Sequence, residues 1–114
     1  MPVIDLLALR ELPAATDPRW RAWLTLRELA SCRQYARAEE HMAARVAGKL
    51  ALARELGLAW PPSWQDLEIG QQPHRPPAVV VPGAVGSPGL SLSHAAGYAA
   101  ALAWSPPPPI ERPR

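Results

Sequence analysis

The stretch from Arg37 to Leu56 contains no proline, is dense in Ala, Leu, Glu and Arg, and repeats Met42, Val46, Leu50 and Ala53 at helical spacing. Residues of this kind lose little side-chain freedom in a helix, and the spacing gives an apolar stripe, so one long helix is expected here. Gly57 follows as a natural C-terminal stop. All fifteen prolines lie outside this stretch. This is the central helix of the chain.

Val3 to Leu7 is a short apolar run with β-branched residues and reads as a strand. Asp17-Pro18 is a helix start, because Asp can accept from exposed N–H groups and proline suits the first helical position. Thr25 and Glu28 have the spacing of a capping box and predict a helix running to about Arg33. After Gly57, LAWPPSW is a proline-broken loop, Gln65 to Ile69 reads as a strand, QQPHRPP as a turn, and Ala78 to Val81 as a further strand. PGAVGSPG is another loop. Leu90 to Ser93 alternates as a strand, and Gly97 allows a hairpin that brings back Tyr98 to Ala103, although the alanines alone would favour a helix. The domain is expected to cover residues 1–104, leaving 105–114 as a proline-rich disordered tail.

Of the 114 residues 48% are apolar, enough for a single core. A chain this short is hard pressed to enclose a buried site, and a site shared between subunits would solve that. The five tryptophans suggest an interface or pocket. Cys32 is the only cysteine, which excludes an intrachain disulfide and a thiolate metal cluster and fits a reducing cytoplasm. A net charge of +2 without a basic run argues against nucleic acid. The N-terminal apolar stretch, interrupted by Asp5 and Arg10, is unlike a membrane span or secretory segment. Arg19, Arg21, Arg27, Arg33, Arg37 and Arg45 face only Glu28, Glu39 and Glu40 in the same region, a locally positive stretch suited to an acidic protein or simply to water.

Several separated segments are similar, in order, to the holo-acyl-carrier-protein synthases, small bacterial 4'-phosphopantetheinyl transferases. VIDLLAL resembles the opening strand, with Asp5 at the metal-binding aspartate. LTLREL resembles the segment of aromatic, Thr, two variable residues and Glu. AARVAGKLALARELG resembles the central helix R-F-A-A-K-E-A-x-x-K-A-L-G, and DLEI, the H-R-P-P turn and LSLSHAAGYAAALA resemble the closing strands. The resemblance implies an α+β fold, a long central helix packed on a small antiparallel sheet, and a homotrimer with sites between neighbouring subunits. It also implies coenzyme A and Mg2+ as cofactors and an acyl carrier protein as partner. The implied site comprises Asp5 as metal ligand, Lys49 and Arg54 on the phosphates, Ser91 and Ser93 on the nucleotide end of coenzyme A, and His94 assisting proton transfer.

The sequence departs from that pattern where chemistry is at stake. Leu50 follows Lys49 where the family has its second metal-binding carboxylate, and it offers no oxygen to a cation. Glu55 does not replace it, since five helical positions turn a side chain by roughly 140° onto another face. Val3 and Ala8 stand where a glycine and a glutamate are usual. Three functions are therefore open: a weakened transferase; a repurposed, metal-independent enzyme using Asp5 and His94 as acid and base on a free or carrier-bound natural-product intermediate; and a non-catalytic carrier-protein binder.

Overall fold

In a computed structural model of the chain, residues 2–60, 62–71, 77–81 and 88–105 are described. The elements run β1 (Val3–Ala8), α1 (Leu26–Cys32), α2 (Ala38–Glu55), β2 (Glu68–Gly70), β3 (Ala78–Val80), β4 (Gly89–Ala95) and β5 (Tyr98–Trp104). Two short 3-10 turns, Leu9–Glu11 and Pro18–Ala22, lie between β1 and α1. The architecture is α+β, as expected: a three-stranded antiparallel sheet in the order β1-β5-β4, a separate β2-β3 ribbon, and α2 packed between them.

Local chemistry accounts for the element ends. Thr25 and Glu28 close a full capping box at the start of α1, each accepting from the other's backbone N–H at 3.1 and 2.8 Å. Gly57 takes φ +64° after α2, and Leu58 N–H reaches back to the Ala53 carbonyl at 2.8 Å, the six-to-one bond of a Schellman motif. Ala96 and Gly97 both have positive φ, 52° and 80°, as a two-residue hairpin turn with the twist of its strands requires. Asp17 accepts from Arg19 N–H at 2.8 Å and does start a helix, but one of 3-10 type that ends at Ala22.

One expectation shifts. The strand foreseen at Gln65 to Ile69 begins at Glu68, because Gln65 turns its side-chain amide to the carbonyls of Arg21 and Leu24. Most of the H-R-P-P turn, the PGAVGSPG loop up to residue 87, and tail residues 106–114 lie outside the described residues. Among the described residues, no helix is long and apolar enough to cross a membrane.

From Met42 to Lys49 every residue of α2 is buried, so the helix is enclosed on all sides instead of presenting a single stripe. Ala43, Ala47 and Ala51 keep its girth small. Gly48 goes further: a Cβ there would come within 2.9 Å of Ile69 Cδ1 and 3.0 Å of Leu92 Cδ2. Three charged side chains, Glu28, Arg45 and Lys49, share this interior. Glu28 Oε1 accepts from Lys49 Nζ at 2.6 Å, and Glu28 Oε2 accepts from Ile69 N–H at 2.9 Å. Lys49 also donates to the carbonyls of Trp23 at 2.8 Å and Trp64 at 2.6 Å. Arg45 donates to the Ile69 carbonyl, Cys32 Sγ and Ser31 Oγ.

Breaking one side of a buried, fully bonded ion pair strands the other charge, at a cost of about 3–5 kcal/mol. Lys49→Met is therefore expected to lower unfolding free energy by about 3 kcal/mol or more in denaturant titrations. A Lys49→Met protein as stable as the parent would show that this lysine does not hold the fold.

Candidate functional site

β-Pleating decides which side chains can meet. On β1, Asp5 and Leu7 point to the helix-covered face of the sheet, while Ile4 and Leu6 point away and are exposed. Asp5 Oδ1 forms an ion pair with Arg54 Nη1 at 3.1 Å, and Asp5 Oδ2 is buried with no hydrogen-bond partner. Burial raises the proton affinity of this carboxyl above the ordinary value, against the opposing pull of the Arg54 guanidinium. Arg54 is half exposed and lies 5.0 Å from the centre of the Trp60 ring, with most of its donors open to a ligand.

A divalent cation expected at Asp5 finds a poor donor set. Leu50, one turn before Arg54 on the same side of α2, packs against the core and supplies no oxygen. Among the described residues, no group of three or more His, Cys, Asp or Glu side chains could hold a metal ion. Magnesium seeks near-octahedral oxygen ligation, and here one carboxylate oxygen is already taken by a guanidinium. The residues present do not fit the ion, and Asp5 is instead the partner of Arg54.

Lys49 does not join this group. Its side chain is fully buried and its three N–H donors are spent on Glu28 and two carbonyls, so it has none to offer a phosphate. Burial pushes its ammonium below the ordinary lysine range, and Glu28 works against that. Lys49, expected on the phosphates, is in this structure part of the buried core. Ser91 and Ser93 alternate on β4 with Leu90, Leu92 and His94, and so stand on the face opposite Asp5 and His94 within one chain.

His94 lies on the helix side of β4, near the start of α2. Its Nδ1 is 2.9 Å from Glu40 Oε2. The ring meets His41 edge-on at 5.0 Å between centroids, and His41 stacks on Tyr35 at 3.7 Å. Burial lowers the proton affinity of His41, with His94 and Arg45 acting in the same direction. Sequence reading singled out His94 but passed over Tyr35, Glu40 and His41. The one available signal was the adjacency of an acid and a histidine in the first turn of the long helix. Asp5 and His94 sit on the two edge strands, two strands and two residue rows apart, so their Cα atoms are about 12 Å apart on ordinary sheet spacing.

Cys32, the lone thiol, is buried beside Arg45, and burial pushes it up to about 11. It is an inert core residue.

Neither a family model nor a curated protein matches the chain by sequence. Solved structures match it closely in shape. A Helicobacter pylori holo-[acyl-carrier-protein] synthase in complex with coenzyme A superposes with TM-score 0.78 at 20% identity, covering 93% of this chain and 100% of that one. A Bacillus anthracis holo-(acyl-carrier-protein) synthase in complex with CoA (3',5'-ADP) gives 0.77 at 24%, covering 90% and 91%. The Mycobacterium tuberculosis acyl carrier protein synthase gives 0.65 at 25%, covering 92% and 96%. The chain has the fold of the holo-acyl-carrier-protein synthases, and the α+β expectation holds.

The raised proton affinity of Asp5 has a definite sign for stability. Between the ordinary carboxyl value and the raised one, the folded chain binds more protons than the unfolded chain, so stability falls as pH rises through that window. Denaturant midpoints measured from about pH 4 towards neutrality should show this fall in the parent and a flatter profile in Asp5→Asn. Parallel profiles would mean that Asp5 titrates as an ordinary surface carboxyl.

Proposed function

We propose that the chain is a holo-acyl-carrier-protein synthase-like protein that binds coenzyme A at Arg54 and carries the transfer of 4'-phosphopantetheine to a carrier-protein serine at a much reduced rate. The observation that carries this reading is the half-exposed Arg54 guanidinium, held by Asp5 at one edge of a sheet whose fold is that of synthases solved with coenzyme A. A guanidinium can bind a diphosphate bidentately, which a lysine at the same position could not. The rate is low because Leu50 replaces a carboxylate that would help hold the cation able to neutralise charge in the transfer, and losing such a charge stabiliser costs several kcal/mol.

An acyl carrier protein is the partner this reading needs. The exposed arginines Arg21, Arg27 and Arg33 on and around α1 supply positive charge for an acidic surface, Arg27 sharing its charge with Glu68 at 3.6 Å. Arg45, counted with them on sequence, is buried and drops out of that surface. A homotrimer is the expected assembly. In its support, the uncovered sheet face carries Ile4 at 69% and Leu6 at 61% exposure beside Leu102 and Ala100, an apolar surface that association would cover. Ser91 and Ser93 share that face, so in an assembly they would meet a neighbouring subunit.

A second reading has its own observation. Asp5 Oδ2 is buried and unpartnered, and the carboxyl holds its proton more tightly than usual, as an acid or base for metal-independent chemistry on a natural-product intermediate would. A carrier binder without catalysis is the remaining possibility.

Purified protein incubated with apo carrier protein, coenzyme A and magnesium separates these readings by mass spectrometry. A slow phosphopantetheine mass gain is expected, and Leu50→Glu should accelerate it at least tenfold, in keeping with the return of a charge-stabilising ligand. No gain in either protein would rule out the transferase reading, and carrier binding alone would favour the non-catalytic one. For assembly, Ile4→Glu places a charge on the apolar face and should shift sedimentation from trimer to monomer. A parent protein that already sediments as a monomer would refute the trimer.

A further inference from the structure

At the Arg54 edge of the sheet, the acid and the cation occupy one another, and this limits what else can bind there. Leu50, one helical turn before Arg54, is partly buried against the core and has no oxygen to offer. Glu55, the next residue after Arg54, is engaged elsewhere: its Oε1 accepts from Ser105 N–H at 3.1 Å and from Ser105 Oγ at 2.8 Å. Asp5 is then the one carboxylate in an ion pair with Arg54 among the described residues, at 3.1 Å. A divalent cation placed on Asp5 would have to share that carboxylate with a guanidinium, and the two positive charges would repel. Among the described residues no group of three acids, histidines or cysteines exists to help hold it. An anion meets no such obstacle. The Arg54 side chain is 52% exposed, and the Trp60 ring backs it at 5.0 Å from the guanidinium carbon.

We propose that the Arg54 guanidinium, paired with Asp5 and backed by Trp60, is a fixed cation that binds the diphosphate of coenzyme A without a divalent metal. The choice of coenzyme A rests on the transferase reading, whereas the metal independence rests on Asp5, Leu50, Arg54 and Glu55 alone. A guanidinium carries donors on two edges, so it can face Asp5 with one and give two parallel N–H groups to a phosphate with the other. A diphosphate that already carries magnesium has part of its charge neutralised and some of its oxygens occupied, which makes it a poorer ligand for this edge than the free anion. At a site with two free carboxylates the metal would bridge protein and ligand. Here the one carboxylate is already paired with an arginine, and the metal competes with that arginine for the same phosphate oxygens.

Coenzyme A binding to the full-length protein, measured by calorimetry in EDTA and again in saturating magnesium, is the test. The parent should bind in EDTA, and magnesium should leave the affinity equal or lower, whereas a metal shared by protein and ligand would raise it by about fivefold or more. Arg54→Ala should weaken metal-free binding by about tenfold or more, in keeping with the loss of a charge-assisted bidentate contact. A further measurement needs no variant: paramagnetic manganese(II), used in place of magnesium and followed by electron paramagnetic resonance, should show no more bound ion with protein and coenzyme A together than with coenzyme A alone. Failure to bind in EDTA, tightening by magnesium, indifference to Arg54→Ala, or extra manganese held by the complex overturns the proposal, and each can do so while carrier modification is intact. If the parent and Leu50→Glu proteins both fail to modify the carrier, the transferase reading falls by itself, and these titrations still decide whether Arg54 binds the diphosphate without metal.

Discussion

The fold depends on a charge that cannot reach water. Glu28 is 2% exposed and lies at the junction of α1, α2 and β2, where an unmatched carboxylate would be prohibitively costly. Each of its oxygens is bonded: Oε1 by Lys49 and the Thr25 N–H, Oε2 by the Ile69 N–H. Lys49 is satisfied in turn by Trp23 and Trp64 carbonyls, which pins two loops to the same point. Arg45 completes the cluster by taking the Ile69 carbonyl, so both backbone groups of one β2 residue are held by charged side chains. A short strand with few ladder bonds is thereby fixed against the helix by groups that have no alternative partner. Such clusters contribute more to uniqueness than to net stability, because their desolvation offsets much of their attraction.

With α2 held from behind in this way, its front is free to lie close on the sheet. Small residues on both sides of the contact make the approach possible: Ala43, Ala47 and Ala51 on the helix, Ala99, Ala101 and Ala103 on β5. Only residues at the edges of this contact escape burial. Arg54 emerges at one edge and meets Asp5 of β1, and Glu40 emerges at the other and meets His94 of β4. The two half-open ion pairs are thus consequences of one packing geometry, in which edge strands supply the partner and the ends of a single helix supply the reach.

Much of this was legible in the residues, and the parts that were not have a common cause. Thr25 with Glu28, Gly57 after the long helix, and Gly97 after the alternating LSLS run all act over a few residues, and each formed the structure its local chemistry requires. Tyr98 to Trp104 is a strand despite its alanines because β1 and β4 flank it on both sides, a partnership that propensity does not contain. The pairing of Lys49 was not legible because its partner Glu28 lies twenty-one residues away. The serines illustrate a different lesson: the period of two in LSLSH already separates Ser91 and Ser93 from His94, so strand geometry alone denies them one shared pocket in a single chain.

Glu28 and Asp5 are both carboxylates with a cationic partner from α2, yet their surroundings give them different properties. Glu28 is saturated, so a new ligand could reach it only by breaking existing bonds. Asp5 has one oxygen in an ion pair and one bare, beside a guanidinium that is 52% exposed. A planar guanidinium has donors on two edges and can hold a carboxylate with one while presenting the other outward. An anion arriving at this edge would therefore meet a cation that is covalently part of the helix, its orientation set by Asp5 and by the Trp60 ring. The loss of an oxygen ligand at position 50 and the presence of arginine at position 54 are then coupled: the first removes a reason for a mobile cation to reside here, and the second provides a fixed one.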